Sequence, residues 1–313
     1  PATTLNKMCG SGMKAAMMAF DQIALGHTDV MVAGGMESMT NAPYLLKKHR
    51  SGARLGHDTA YDHMFLDGLE DAYEEGRAMG TFAQDTANEY QLTREEMDDY
   101  SIESLRRANA AIESGAFDGE VVPVTIVTRK GETTVEHDEA PSKGKPDKIP
   151  QLRPAFAKDG TITAATSSSI SDGAAAVVLS RESVAKANGQ QPVAKIVAMA
   201  AHAQEPAQFT VAPIGAIEKV LDKAGWSADE VELWEVNEAF ACVAMFAMRD
   251  IGIPHDRINI NGGGTALGHP IGASGTRIIV TLLNALKQQG KKRGIASLCI
   301  GGGEATAVAV EMV

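Results

Sequence analysis

The stretch CGSGMKAAMMAFDQIALGHTDVMVAGGMES, Cys9 to Ser38, is the one on which the fold turns. Met13, Ala16, Met17, Phe20, Ile23 and Ala24 recur at helical spacing, which predicts a helix over Ser11–Leu25 closed by Gly26. Val30 to Ala33 then read as a buried strand running into Gly34-Gly35. The same grammar returns near the C-terminus. GASGTRIIVTLLNALKQQG, Gly272–Gly290, is a helix entered through Ser274-Gly275, and GIASLCIGGGEAT, Gly294–Thr306, is a strand, Ile295 to Ile300, running into three glycines. Ser-Gly, helix, glycine, strand, glycines and glutamate in that order make an internal duplication. Its period is too long for a solenoid, so two similar α/β halves packed together are expected.

Between the halves the chain changes character. From about Thr40 to Ile162 it is polar and irregular, with loops at KKHRSGARLGHD and EAPSKGKPDKIP. One clear helix is expected there, opened by a capping box of Thr93 with Glu96. EVVPVTIV reads as a strand kept to an edge by Pro123. This region reads as an insertion. The first half resumes at ITAATSSSISDGAAAVVLS, whose run Ala174–Leu179 suits a buried strand. The expected organisation is a first half at 1–39 and 165–190, an inserted loop domain at 40–164, and a second half at 191–313.

The totals narrow the function classes. The chain has 313 residues, 44% of them hydrophobic and 22% charged, with a net charge of −11 and no block of Lys and Arg. That argues against a nucleic-acid or anionic-membrane partner. No apolar run approaches the ~20 residues of a membrane span. The three cysteines, Cys9, Cys242 and Cys299, lie far apart. They form neither a disulfide framework nor a metal clip, so reduced thiols in a cytoplasmic compartment and no metal are expected.

Four positions carry chemistry. Cys9 stands at the start of a helix, where free N–H groups and the helix dipole favour a thiolate, and glycines beside it let a ligand approach. A lone cysteine can equally be a small buried hydrophobe. His269, in NINGGGTALGHPIGASG, is held in a loop by Gly268 and Pro270 and is suited to take a thiol proton. Cys299 ends an apolar strand before glycines and by itself reads as core. Asn237, in VNEAFA, follows a strand end, where an amide can hold a water or an oxyanion or simply cap a helix.

Taken in order, NKMCGSGMKA, GGMESM, NEAFA, NGGGTALGHPIGASG and CIGGGEA resemble the thiolase family, of the acetyl-CoA acetyltransferase or 3-ketoacyl-CoA thiolase type. The resemblance runs the length of the chain, before which the family's N-terminal segment, the first strands and helices of its first half, is missing from this sequence. It implies a five-layered α/β/α/β/α sandwich of two similar halves with an inserted loop domain. It implies that Cys9 accepts the acyl group, that His269 activates it, and that Cys299 takes or returns the α-proton of acetyl-CoA. Asn237 would hold a water that stabilises the enolate oxygen with His269, and the N–H groups of Cys9 and Gly301 would form a second oxyanion hole. Coenzyme A would contact Ser168, with Ala164, Ile170, Phe209, Leu69 and Met79 lining its tunnel.

The implied activity is reversible condensation of two acetyl-CoA to acetoacetyl-CoA and CoA, within fatty acid metabolism. Ala78-Met79-Gly80 stands where many short-chain members carry His-Met-Gly, which leaves a degradative 3-ketoacyl-CoA thiolase for longer chains as the alternative. A cysteine hydrolase would use Cys9, His269 and Asn237 but give Cys299 no task. An inactive fragment or assembly partner is the remaining alternative. The family resemblance further implies a homotetramer, with the Met-rich stretch GGMESMTNAPYLL near a subunit boundary.

Overall fold

The structure is a computed structural model that describes residues 1–313. The first half opens with α1 (Ser11–Ala24) and β1 (Val30–Ser38). After an excursion it returns with β6 (Asp172–Ser180) and α5 (Glu182–Ala187). The excursion holds the short hairpin β2 (Tyr44–Leu45) and β3 (Tyr61–Asp62), then α2 (Met79–Glu89) and α3 (Arg94–Glu113). The hairpin β4 (Val124–Thr128) and β5 (Gly131–Val135) and the single turn α4 (Glu139–Lys143) complete it. The second half runs β7 (Ala194–Ala203), α6 (Ala212–Ala224), β8 (Leu233–Val236), α7 (Ala241–Ile251), α8 (Gly264–Leu267), α9 (Ile271–Gln289), β9 (Arg293–Ile300) and β10 (Glu304–Met312). No helix is long and apolar enough to cross a membrane.

The duplication is visible in the pairing. β1 and β6 form an antiparallel pair, Val30 opposite Ser180 through Ser38 opposite Asp172. Their counterparts β9 and β10 pair antiparallel in the second half, Glu304 opposite Ile300, within a sheet of order β7-β10-β9-β8. β8 lies parallel to β9. The helices α1 and α9 sit between the two sheets, and α6 and α7 cover the far face of the larger one. Residues 1–313 thus supply four layers of the sandwich, β/α/β/α. None of the elements lies over the outer face of β1 and β6.

That open face corrects one expectation. Val30–Ala33 and Ala174–Leu179 are strands but are not buried on both sides. Ala33, Met31, Val177 and Leu179 pack inward on the central helices, while Val32, Met36 and Val178 stay 71%, 81% and 71% exposed. The excursion is also more ordered than its composition suggests. The capping box at Thr93 is formed, but a second helix, α2, precedes it, and a turn of helix, α4, lies inside EAPSK. Phe82, Ala83, Ala87, Met97 and Tyr100 from α2 and α3 join the core of the second half, beside Val236, Phe240 and Phe246.

The central helices touch backbone to backbone. A Cβ added at Gly12 would lie 2.6 Å from Thr276 Oγ1 and 2.8 Å from its nitrogen, and one added at Gly275 would lie 2.4 Å from the Met13 nitrogen. These are the glycines of the two repeated Ser-Gly pairs, so the duplication places like against like at the crossing point.

Candidate active site

The turn that carries Cys9 is tight. Met8 adopts φ 45°, in the left-handed region a side chain seldom occupies, and a single 3-10 turn, Met8–Gly10, leads into α1. Ser11 pins it: its hydroxyl donates to the Met8 carbonyl at 2.7 Å and accepts from the Lys7 N–H at 2.9 Å. The Cys9 thiol is half-buried and lies by the Gly301 N–H, which pulls its pKa down. Burial pushes it up to about 11, against the lowering pull of that N–H and its own. This corrects the expected resting thiolate. Desolvation outweighs the helix start, so Cys9 rests as a thiol and needs a base.

The second Ser-Gly pair performs the matching task for His269. The Ser274 hydroxyl donates to the Pro270 carbonyl at 2.9 Å, and its oxygen sits 2.5 Å from His269 Nδ1. With that hydroxyl hydrogen committed, Nδ1 is the donor and Nε2 carries the free lone pair. Nε2 is buried with no partner in the protein. Burial, helped by the charge of Arg277, lowers His269 to about 4, so it is neutral at physiological pH and able to receive a proton.

Cys9, His269 and Cys299 open on one cavity of about 190 Å³, at whose edge Gly301 stands. Its walls are mostly apolar, with Met39, Phe65, Leu69, Met79 and Ile271 and the aromatic group Phe156, Phe240 and Phe209, whose rings pack edge to face. Ser168 and Ile170 line it as well. The Ser168 hydroxyl donates to the Ala239 carbonyl at 2.9 Å, and Ile170 is 57% exposed at the mouth. Ala164 is not brought to the cavity. Thr163 closes a turn with Thr166 and Ser167, and Ala164 at its tip is exposed. Cys299 is fully buried, held well above the usual thiol range by desolvation and by the neighbouring Cys9 and Cys242. Cys242, on α7, is packing in the core of the second half, its thiol pushed up to about 12 by burial.

Asn237 is not among the residues that line the cavity, whereas Ala239 and Phe240, just after it in the chain, are. Its N–H donates to Ser297 at 3.0 Å, which carries the line of β8 along β9 to within two residues of Cys299. Its side-chain amide is 1% exposed, and neither polar atom has a protein partner. A buried amide in that state calls for a bound water or substrate oxygen. Sequence reasoning passed over Ser11, Ser274 and Glu238. The repeated Ser-Gly pair was the available signal for the first two. Glu238, in the apolar context Asn-Glu-Ala-Phe, was the signal for itself.

Two acidic residues at equivalent places in the repeat reach across between the halves. Glu37, ending β1, accepts from the Gly272 N–H at the start of α9 at 3.0 Å. Glu304, starting β10, forms an ion pair with Lys7, two residues before Cys9.

Residues 1–183 match the model of the thiolase N-terminal domain and residues 190–312 that of the thiolase C-terminal domain. A probable acetyl-CoA acetyltransferase of Dictyostelium discoideum is 47% identical over 310 residues, covering 99% of this chain and 75% of the relative. The crystal structure of Acat5 thiolase from Ascaris suum in complex with coenzyme A superposes with a TM-score of 0.92 at 42% identity, over 99% of this chain and 78% of that one. Human mitochondrial 3-ketoacyl-CoA thiolase superposes with a TM-score of 0.96 at 36% identity, over 100% and 79%. With both halves matched along almost their whole length, the chain belongs to the thiolase family.

Proposed function

We propose that the protein is an acetyl-CoA C-acetyltransferase, condensing two acetyl-CoA to acetoacetyl-CoA and CoA and running the reverse cleavage. The observation that carries the reading is the convergence of two thiols from the two halves, Cys9 and Cys299, with an unprotonated imidazole nitrogen on one narrow cavity. The names of the relatives, acetyl-CoA acetyltransferase among them, support it.

In the first step His269 Nε2 takes the Cys9 proton. The sulfur adds to the thioester carbonyl, the bond from carbonyl carbon to the CoA sulfur breaks, and the departing thiolate takes the proton of Cys299, which leaves Cys299 as a thiolate and His269 protonated. A thiol is the suitable acceptor because the acyl group must later leave it for another nucleophile. The N–H groups of Cys9 and Gly301 hold the oxygen that becomes negative in that addition. In the second step the Cys299 thiolate removes an α-proton from the next acetyl-CoA and becomes a thiol again. The enolate oxygen is held by the Nε2–H of protonated His269 and a water on Asn237, the carbon attacks the acyl carbonyl, and the Cys9–acyl bond breaks, the Cys9 sulfur taking its proton back from His269. The apolar walls keep bulk water from hydrolysing the acyl-enzyme.

The longer-chain reading keeps one supporting observation, the mostly apolar lining of the cavity, in which Ala78 and Met79 take part. Turnover of acetoacetyl-CoA against a longer 3-ketoacyl-CoA, each with CoA, separates the two. Hydrolysis independent of CoA would replace both with the cysteine-hydrolase reading, and no turnover at all would leave the assembly-partner reading. The proposal extends to a cytoplasmic homotetramer working in fatty acid metabolism. Light-scattering mass and cell fractionation test the first two, and a growth defect on fatty acids after gene disruption tests the third.

A further inference from the structure

We propose that Glu238 is the positioning residue for Asn237, and hence for the enolate-forming step; this rests on the acetyltransferase reading above. Glu238 is fully buried, and its carboxylate accepts five hydrogen bonds. Tyr100 Oη at 2.8 Å and Asn259 Nδ2 at 2.9 Å reach Oε1. Ser104 Oγ at 2.8 Å, the Thr265 N–H at 3.1 Å and Thr265 Oγ1 at 2.6 Å reach Oε2. One side chain therefore ties α3 of the excursion, the bend at Asn259 and the glycine-rich turn Gly262–Thr265 to the position next to Asn237.

The need for such a clamp follows from what Asn237 lacks. Its amide has no protein hydrogen bond, so its orientation depends on the walls around it. One wall is Gly264, where an added Cβ would lie 3.4 Å from Asn237 Oδ1. Three consecutive glycines do not hold a wall by themselves. Glu238 holds it through both donors of Thr265, and it leaves no slack, since a Cβ on Gly263 would meet its carboxyl carbon at 2.3 Å. His269 has separate anchors: Ser274 on Nδ1 and the Ser169 carbonyl, which accepts from its N–H at 3.3 Å. Loss of Glu238 should therefore reach Asn237 before it reaches the base that activates Cys9.

Glu238→Gln is the informative change because it keeps shape and removes acceptor capacity. Hydroxyl partners can turn and accept instead. The Thr265 N–H cannot, and neither can Asn259, whose amide already accepts from the Val236 N–H and donates to the Val236 carbonyl. Either placement of the new NH₂ therefore sets donor against donor.

Two steps are read in the full chain: acetylation of Cys9 by acetyl-CoA, as mass on its peptide, and exchange of acetyl-CoA α-protons with deuterated solvent. E238Q should acetylate within about threefold of the parent and lose about 10–100-fold in exchange. N237A should show the same split, and the double variant should be no slower than N237A alone. Equal loss in both steps, or unchanged exchange, overturns the proposal. If E238Q does not fold, Tyr100→Phe with Ser104→Ala removes two donors and keeps the carboxylate; a smaller split supports the assignment and an unchanged ratio overturns it. A parent that acetylates Cys9 while N237A exchanges normally refutes the role given to Asn237. A split in N237A without one in E238Q refutes the role of Glu238 alone.

Discussion

Replacing Gly275 by alanine adds one methyl group where α9 crosses α1. That methyl would stand 2.4 Å from the Met13 nitrogen and 2.8 Å from its Cβ, when ordinary contact begins at about 3.4 Å. Backbone cannot rotate away as a side chain can, so the helices must part by about 1 Å. Overpacking of this kind costs about 1–3 kcal/mol, while alanine in a helix interior returns about 1 kcal/mol over glycine. A net loss of about 0–2 kcal/mol follows. At about 2.1 cal/mol/K per residue, a 313-residue chain has an unfolding entropy near ~0.7 kcal/mol/K, so Tm should drop by no more than about 3 °C. The chemical effect should be much larger. α1 begins two residues after Cys9 and α9 two residues after His269, so the parting is passed directly to the nucleophile and its base. A displacement of that size costs about 10²-fold in rate. Acetylation of Cys9 on mixing with acetyl-CoA, followed by peptide mass, reads the loss beside a thermal melt. Gly12→Ala, the counterpart in the repeat, should behave alike. Acetylation within about threefold of the parent in both variants would refute the idea that this crossing sets the distance between thiol and base.

The two site thiols should part company on substitution. Cys9→Ala should abolish acyl-enzyme and all transfer, whereas Cys299→Ala should accumulate acetyl-Cys9 and lose about 10² or more in condensation; near-parent condensation by C299A would remove Cys299 from the mechanism. Alkylation by iodoacetamide should strike half-buried Cys9 before the buried Cys242 and Cys299, at a rate still climbing between pH 8 and 10, because burial holds its thiol up to about 11. A plateau below pH 8 would restore the resting thiolate. Stability should respond to pH from both sides. Glu235, buried with Arg277 3.6 Å away, is pushed up to about 8 by desolvation, so the folded chain keeps a proton that the unfolded one sheds above 4.5, and stability falls as pH rises through that window. His269, lowered to about 4, acts oppositely as pH falls below 6.5. Between pH 6.5 and 8 only Glu235 of the two is active, so Tm should fall with pH there in the parent and stay flatter in Glu235→Gln.

The repeat was legible because it is written in local signals: a helical apolar stripe, a glycine stop, a strand and glycines again. The capping box at Thr93 belongs to the same class and formed as read. What was not legible depends on partners distant in the chain. The helix α2 hides its inward face behind Gln84 and Thr86; Gln84 is buried because its carbonyl accepts from the N–H groups of Thr161 and Ile162, 77 and 78 residues away. The strands β1 and β6 carry apolar residues on both faces, which reads as burial on both, yet helices cover only one. At the site, residue types could be picked from the motifs, and Cys9, His269, Cys299 and Ser168 do meet on one cavity, while Ala164 does not. The protonation states could not be picked. The helix start at Cys9 argues for a thiolate, and only the packed surroundings reveal that desolvation is the larger effect. Glu238 escaped because its five donors come from three segments that the sequence does not place together.

The ion pair of Lys7 with Glu304 joins residues 297 positions apart, and Cys9 and Cys299 lie just inside that span. On a translating ribosome the order of events is then fixed. At about 5–20 residues per second the nucleophile emerges roughly 15–60 s before the last strand can meet it. Throughout that interval the nascent chain carries Cys9 without its Gly301 donor and without the second thiol, and the β1 side of the molecule folds with no β9 or β10 behind its central helices. Reactivity is consequently acquired only once β9 and β10 have been made and have reached the first half. A ribosome-stalled chain ending before β9 should fail to acetylate Cys9 from acetyl-CoA even where α1 and β1 are already protected from protease.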